Sequence, residues 1–198
     1  MKVTRIENSF FSSNTYLLSQ DEHPYVWLVD CGDYWRVKKL LNGKYVKGVL
    51  LTHTHADHIY GINDLLSDFS DATVITNGFG IKALSDPKLN LTKYHDEVPD
   101  YSVSPNVQVK AAIEGDLIEL FPNCRAHVLE TSGHDMSCLS YKISNYLFTG
   151  DSYIPGVKLT AKFPNSDKKV ALLNFNRLKE LEGELLICPG HGKMNQEI

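Results

Sequence analysis

Paired cysteines are missing from this chain. Its four cysteines, Cys31, Cys124, Cys138 and Cys188, show no CxxC spacing, and 198 residues can bury a core without disulfide staples. All four therefore read as reduced thiols, mostly packed in the core. Long apolar runs are missing too: none approaches the roughly 20 residues that cross a bilayer. The N-terminus, MKVTRIENSFF, has no apolar stretch of the secretory kind. These absences predict a soluble, cytoplasmic protein without a membrane partner. A basic excess is also lacking. Lys plus Arg number 20 against 24 Asp plus Glu, a net charge of −4, which argues against a nucleic-acid partner. Repeats, low-complexity tracts and linkers are absent, so a single domain over residues 1–198 is expected. With 42% hydrophobic and 22% charged residues the chain reads as globular, not disordered.

What is present alternates between strand and helix. Lys2 to Ile6, Asn14 to Ser19 and Tyr25 to Val29 predict strands. Tyr34 to Leu41 has helical spacing, with Val37, Leu40 and Leu41 on one side. Val46 to Thr52 is a short apolar run of the buried-strand type. A helix follows from about Asp57 to Leu66, with Ile59, Ile62, Leu65 and Leu66 on its apolar side. Thr73 to Thr76 predicts a short strand. The stretch Asn77 to Pro105 begins helically and then loses periodicity, as lids and binding loops do. Strands follow at Val107 to Ile113, Leu117 to Leu120, Arg125 to Glu130, Cys138 to Ile143 and Tyr146 to Thr149. Ser166 to Leu181 predicts a helix burying Val170, Leu173, Leu178 and Leu181. Leu185 to Cys188 predicts the last strand. Two such halves suggest an α+β protein with two facing sheets and helices outside.

The chemistry concentrates in His53-Thr54-His55-Ala56-Asp57-His58. Imidazole nitrogens and carboxylate oxygens suit zinc, iron or manganese. On extended backbone His53 and His55 point the same way. Asp57 and His58 sit where the next helix starts and can address a second point nearby, where the helix N-terminus favours the Asp57 anion. Three further donors each follow a glycine just after a predicted strand: Gly133-His134, Gly150-Asp151 and Gly190-His191. Glycine there permits a sharp turn and a close backbone approach. Five His and two Asp are enough for two metals sharing one carboxylate.

These residues carry a resemblance. With Leu28-Val29-Asp30-Cys31-Gly32, Thr131-Ser132-Gly133-His134, Leu147-Phe148-Thr149-Gly150-Asp151 and Cys188-Pro189-Gly190-His191-Gly192, the sequence resembles the metallo-β-lactamase superfamily. Within it, the chain is most similar to the glyoxalase II-like (hydroxyacylglutathione hydrolase-like) enzymes. The resemblance implies a four-layer αβ/βα sandwich with the site at one edge between the sheets. It implies that His53, His55 and His134 hold a first metal, that Asp57, His58 and His191 hold a second, and that Asp151 bridges them. The cofactors expected are two divalent ions, zinc foremost, with iron or manganese as the other candidates.

The departures narrow the function. True β-lactamases of the superfamily lack the bridging Asp at the position of Asp151, so antibiotic hydrolysis is not expected. The diiron oxygen-reducing branch has Glu where His55 stands. The chain ends seven residues after His191, without the glutathione-holding helices of human-type glyoxalase II, so a small-molecule substrate is expected whose identity is not inherited from glyoxalase II. Many relatives also carry Gly-Arg and a nearby Asp after the bridging Asp, where this chain reads Thr160 to Asp167. Two metals about 3.5–4 Å apart lower the pKa of a shared water from about 15.7 towards 7, giving a metal-bound hydroxide nucleophile. The expected enzyme is a binuclear hydrolase of a small thioester or ester, with Asp57 and Asp151 as catalytic residues. Alternatives are a mononuclear iron enzyme of the persulfide dioxygenase kind, a phosphodiesterase or lactonase, or a structural metal staple. Asp30 and Thr52 are candidate supports for the ligands. Tyr60 and Tyr153 are candidate donors to a substrate oxygen. Phe10 and Phe11 read as core or as a hydrophobic flap, Lys158 and Lys162 as a solvated face or an anion site. His23, His95 and His127 read as packing residues.

Overall fold

A computed structural model describes residues 1–95 and 99–195. The first half builds β1 (Lys2–Glu7), β2 (Asn14–Ser19), β3 (Tyr25–Val29), α1 (Tyr34–Leu40), β4 (Tyr45–Leu50), α2 (Ala56–Ile59), α3 (Ile62–Asp68), β5 (Thr73–Thr76), α4 (Gly78–Ala83) and β6 (Gln108–Ala111). The second builds β7 (Leu117–Phe121), β8 (Cys124–Glu130), β9 (Leu139–Ile143), β10 (Tyr146–Gly150), α5 (Lys168–Glu180) and β11 (Leu186–Pro189). The first sheet runs in the order β1-β2-β3-β4-β5-β6, antiparallel up to β3 and parallel beyond it. The second runs β11-β10-β9-β8-β7, with only β10 and β11 parallel. This is the metallo-β-lactamase fold of two mixed sheets with flanking helices.

Strand alternation explains the layers. In β3, Val26 and Leu28 face α1 and α3, packing with Val37, Ile62 and Leu65, while Trp27 and Val29 face the other sheet. That inner layer joins Leu18, Trp27 and Leu50 to Leu120, Val128, Tyr141 and Phe148 of the second sheet. The Trp27 indole N–H donates to the Leu120 carbonyl at 2.8 Å, so the tryptophan's polar edge is satisfied inside the core. On the far side, Leu147 and Ile187 pack against Leu178 of α5 and Tyr153. Both faces of the central strands are thus buried, which is why they read as apolar runs.

Three sequence expectations are corrected. The helix expected over Asp57 to Leu66 is two helices. The Asp57 carbonyl accepts from the Ser13 hydroxyl (2.7 Å) and the His58 carbonyl from the Cys31 N–H (2.8 Å). Gly61 N–H turns to the Cys31 carbonyl (3.0 Å). These tertiary partners interrupt the intrahelical ladder. In α1, Leu40 is 43% exposed, and Tyr34, Val37 and Leu41 are the buried side chains. In α5, Leu173 is 70% exposed, and the buried positions are Ala171 and Leu178 with Phe175 packed beside them. All four cysteines are buried and free. The irregular stretch from Asn77 to Pro105 holds α4 and a 3-10 turn at Thr92–Tyr94; residues 96–98 of it lie outside the described residues. Among the described residues, no helix is long and apolar enough to cross a membrane.

Candidate metal centre

The seven candidate ligands lie on turns that follow strand ends. His53 and His55 follow β4, Asp57 and His58 lie on α2, His134 follows β8, Asp151 directly follows β10, and His191 follows β11 after Gly190. The fold brings all seven together. Three overlapping triads have donor atoms within 4.8 Å of one another: His53, His55 and His134; His53, His58 and Asp151; and Asp57, His58 and His191. Asp151 spans the groups. Its Oδ2 lies 3.6 Å from His134 Nε2 and 3.4 Å from His191 Nε2, and its Oδ1 lies 3.7 Å from His58 Nε2. Asp57 Oδ2 is 3.4 Å from His58 Nε2 and 3.3 Å from His191 Nε2.

Glycine makes this convergence possible. Gly133 and Gly150 have φ of +129° and +50°, and a Cβ at Gly190 would stand 2.1 Å from Asp151 Oδ1.

Each ring is aimed by its second nitrogen. His58 Nδ1 donates to Asp30 at 2.8 Å, His134 Nδ1 to the Thr160 carbonyl at 2.8 Å, and His191 Nδ1 to the Phe11 carbonyl at 3.1 Å. The Thr52 hydroxyl donates to Asp30 at 2.6 Å, so its oxygen accepts from His53 Nδ1 at 3.2 Å. Four rings therefore turn Nε2 towards the cluster. His55 is reversed: its Nδ1 lies 3.2 Å from His134 Nε2, and its Nε2 faces Asp135 Oδ2 at 3.4 Å. Such outer partners set ring tautomer and orientation.

The protonation states follow from burial and charge. Burial holds His53 well below its ordinary range, with His58 and His55 adding to the effect. Burial lowers His134 as well. Burial would raise Asp151, but the His191 hydrogen bond and the rings of His58, His53 and His134 hold it well below the carboxylate range. Asp57 is lowered against burial, mainly by His58 and His191. Burial opposes charge on His58 and His191, yet the facing carboxylates raise them to about 9 and about 11. Metal binding at these two rings must release their protons.

Three buried atoms at the centre, the Nε2 of His53 and His58 and Asp151 Oδ1, have no hydrogen-bond partner. An orphaned buried polar atom costs about 1–3 kcal/mol. Clustering three of them among seven His and Asp donors is what a cation site requires, so the residues present fit two divalent ions.

The other candidates divide. Asp30 sits at the end of β3 with φ +57° and ties Thr52 N–H, Thr52 Oγ1 and His58 together. The Tyr60 hydroxyl instead donates to Asp33 (2.7 Å) and that of Tyr153 to Glu182 (2.6 Å), so neither proton is aimed at the cluster. Phe11 is 51% exposed and stacks on Phe10, with His95 against both rings, so it is not a core residue. Phe163 packs on His55 and His134 at 4.8 and 5.4 Å. Lys158 and Lys162 are exposed. Asp135, Ser13 and Asn14 were not singled out from the sequence. Asp135 had one signal, its place directly after His134; Ser13 and Asn14 had none, because the site backbone they hold, at Asp57, Pro189 and Gly192, lies more than 40 residues away.

Fold and cluster together define a two-sheet sandwich whose strand ends gather a His/Asp metal site. A family model described as the metallo-beta-lactamase superfamily matches residues 8–191, and the chain belongs to that superfamily. Hydroxyacylglutathione hydrolase of Buchnera aphidicola subsp. Schizaphis graminum is 30% identical over 143 residues, 72% of this chain and 47% of that protein. The chain spans about half the length of such curated relatives. The fold matches that of the BLEG-1 B3 metallo-beta-lactamase with a TM-score of 0.84 at 21% identity, over 98% of this chain and 93% of the other. It matches TTHA1623, crystallised in a di-iron-bound form, with a TM-score of 0.78 at 24% identity, over 98% and 94%.

Proposed function

We propose that the chain is a binuclear metal-dependent hydrolase of a small thioester or ester. The observation that carries this reading is the convergence of seven donors, five of them buried, with Asp151 reaching toward rings of both outer triads. His53, His55 and His134 would hold one ion, Asp57, His58 and His191 the other, and Asp151 both. Imidazole and carboxylate donors suit zinc first, and iron or manganese next. Bound there, two such ions supply a water of lowered pKa and polarise the scissile carbonyl. The chain's own groups do the rest. Asp57, buried and held ionised, would orient the attacking water. Asp30 holds the His58 ring through Nδ1, and Asp135 faces His55 Nε2 at 3.4 Å. Phe163 shields the outer side of His55 and His134 from water. The thioester preference draws on the relatives named hydroxyacylglutathione hydrolase.

The test is elemental mass spectrometry on protein purified without added metal or chelator, followed by a thioester panel. Close to two ions per chain is expected. Asp151→Ala should lose tightly bound metal and at least about 100-fold in kcat/KM. Full activity in that variant overturns the assignment. One iron per chain with oxygen uptake on a persulfide would move the chain to mononuclear iron chemistry.

A further inference from the structure

Resting on the two-metal reading above, we infer that Asn14 is the positioning residue of the second metal position. It sets His191 against Asp57 and His58 without touching metal or substrate. The second triad is drawn from both halves of the molecule. Asp57 and His58 come from α2 in the first half, His191 from the turn after β11, an edge strand of the other sheet. Something must fix the distance between them.

Asn14, at the start of β2, is fully buried. Its carboxamide nitrogen donates to the Pro189 carbonyl at 2.9 Å and to the Gly192 carbonyl at 2.8 Å. Its Oδ1 accepts from Arg5 at 3.1 Å. Its backbone N–H donates to the Gly190 carbonyl at 2.7 Å. One residue thus grips carbonyls on both sides of His191. The preceding residue, Ser13, pairs with His191 as an isolated β-bridge and donates its hydroxyl to the Asp57 carbonyl at 2.7 Å. Two consecutive residues therefore hold the backbones of two ligands that come from opposite halves. Only a carboxamide of this length donates twice while accepting once. An Asp there would face the same carbonyls with acceptors alone. The first triad, His53, His55 and His134, has no contact with Asn14, so its metal should be insensitive to the change.

The experiment uses the whole chain and zinc or cobalt(II) as the probe, with competitive chelators reading the two affinities separately. Asn14→Asp should weaken the second ion at least about tenfold and leave the first within about threefold, with secondary structure retained. Wild-type affinity for both ions in this variant overturns the inference, as does equal weakening of both. Should Asn14→Asp fail to fold, wild-type NMR decides instead. Coupling is reciprocal, so the second equivalent of metal should slow exchange of the Asn14 carboxamide protons while the first does not. No slowing, or slowing by the first equivalent, overturns it. A wild-type protein that binds only one ion would defeat the two-metal reading itself, an outcome distinct from these.

Discussion

The Asp33 carboxylate accepts from the Ser9 N–H (2.8 Å), the Ser9 hydroxyl (2.9 Å) and the Tyr60 hydroxyl (2.7 Å), with Arg36 Nε 2.9 Å away. Burial would raise its pKa, but these donors outweigh burial and hold it below the ordinary 3.8. A depressed carboxyl stabilises the fold fully above its unfolded pKa. That stabilisation is lost as pH falls through the folded value. Asp33→Asn should therefore lose stability less steeply than wild type between about pH 5 and pH 3. Urea melts at several pH values measure this, and parallel curves would reject the role. At neutral pH the same variant should cost about 1–3 kcal/mol, because amide-for-carboxylate exchange leaves one of these donors unpaired. At this scale the candidate cluster was legible: seven donor residues carry their chemistry in side-chain type, and three of them, His134, Asp151 and His191, follow a glycine. The directions of Tyr60 and Tyr153 were not, because a hydroxyl goes to whichever carboxylate the fold brings near it.

At the scale of elements, strands read more faithfully than helices. β2, β3 and β5 match the sequence expectation residue for residue, since short apolar runs buried on both faces leave little choice. The helix after the His-rich motif did not, because Ser13 and Cys31 capture its carbonyl groups. Gly61 lies at this break, and a Cβ there would stand 1.9 Å from the Gly32 carbonyl oxygen. Gly61→Ala should therefore destabilise by about 1–3 kcal/mol through overpacking. Because α2 carries Asp57 and His58, metal affinity should fall with it. A chemical melt and a metal titration on one sample check both effects; unchanged values in each would show that the backbone yields without cost. Leu173, expected in the core, failed for a related reason. A period-3.6 pattern admits more than one apolar stripe in α5, and the sheet surface selects the one through Ala171 and Leu178.

Across the whole molecule, stability and site geometry share one interior layer. Phe148 is fully buried between the sheets, its ring 5.2 Å from that of Tyr16. It lies three residues before Asp151, on the same strand that delivers it. Phe148→Ala should cost about 3–5 kcal/mol, measured by denaturant midpoint. A loss below about 1 kcal/mol would mean the layer is not close-packed. Tyr16 also donates its hydroxyl to the Pro189 carbonyl at 2.8 Å, so packing between sheets and registration of the His191 turn are one problem.

The sequence by itself determined the fold class, most strand positions and which seven residues are candidate donors. Each of these depends on local periodicity or on side-chain chemistry that a residue carries wherever it sits. Only the tertiary structure decided that His55 turns Nδ1 inward while four rings turn Nε2. It alone decided that Asp135 backs His55, that Tyr60 and Tyr153 point elsewhere, and that Ser13 and Asn14 join the two halves behind the second triad. Those facts rest on contacts between residues far apart in the chain, where geometry is set by the packing of two sheets and leaves no mark on local sequence.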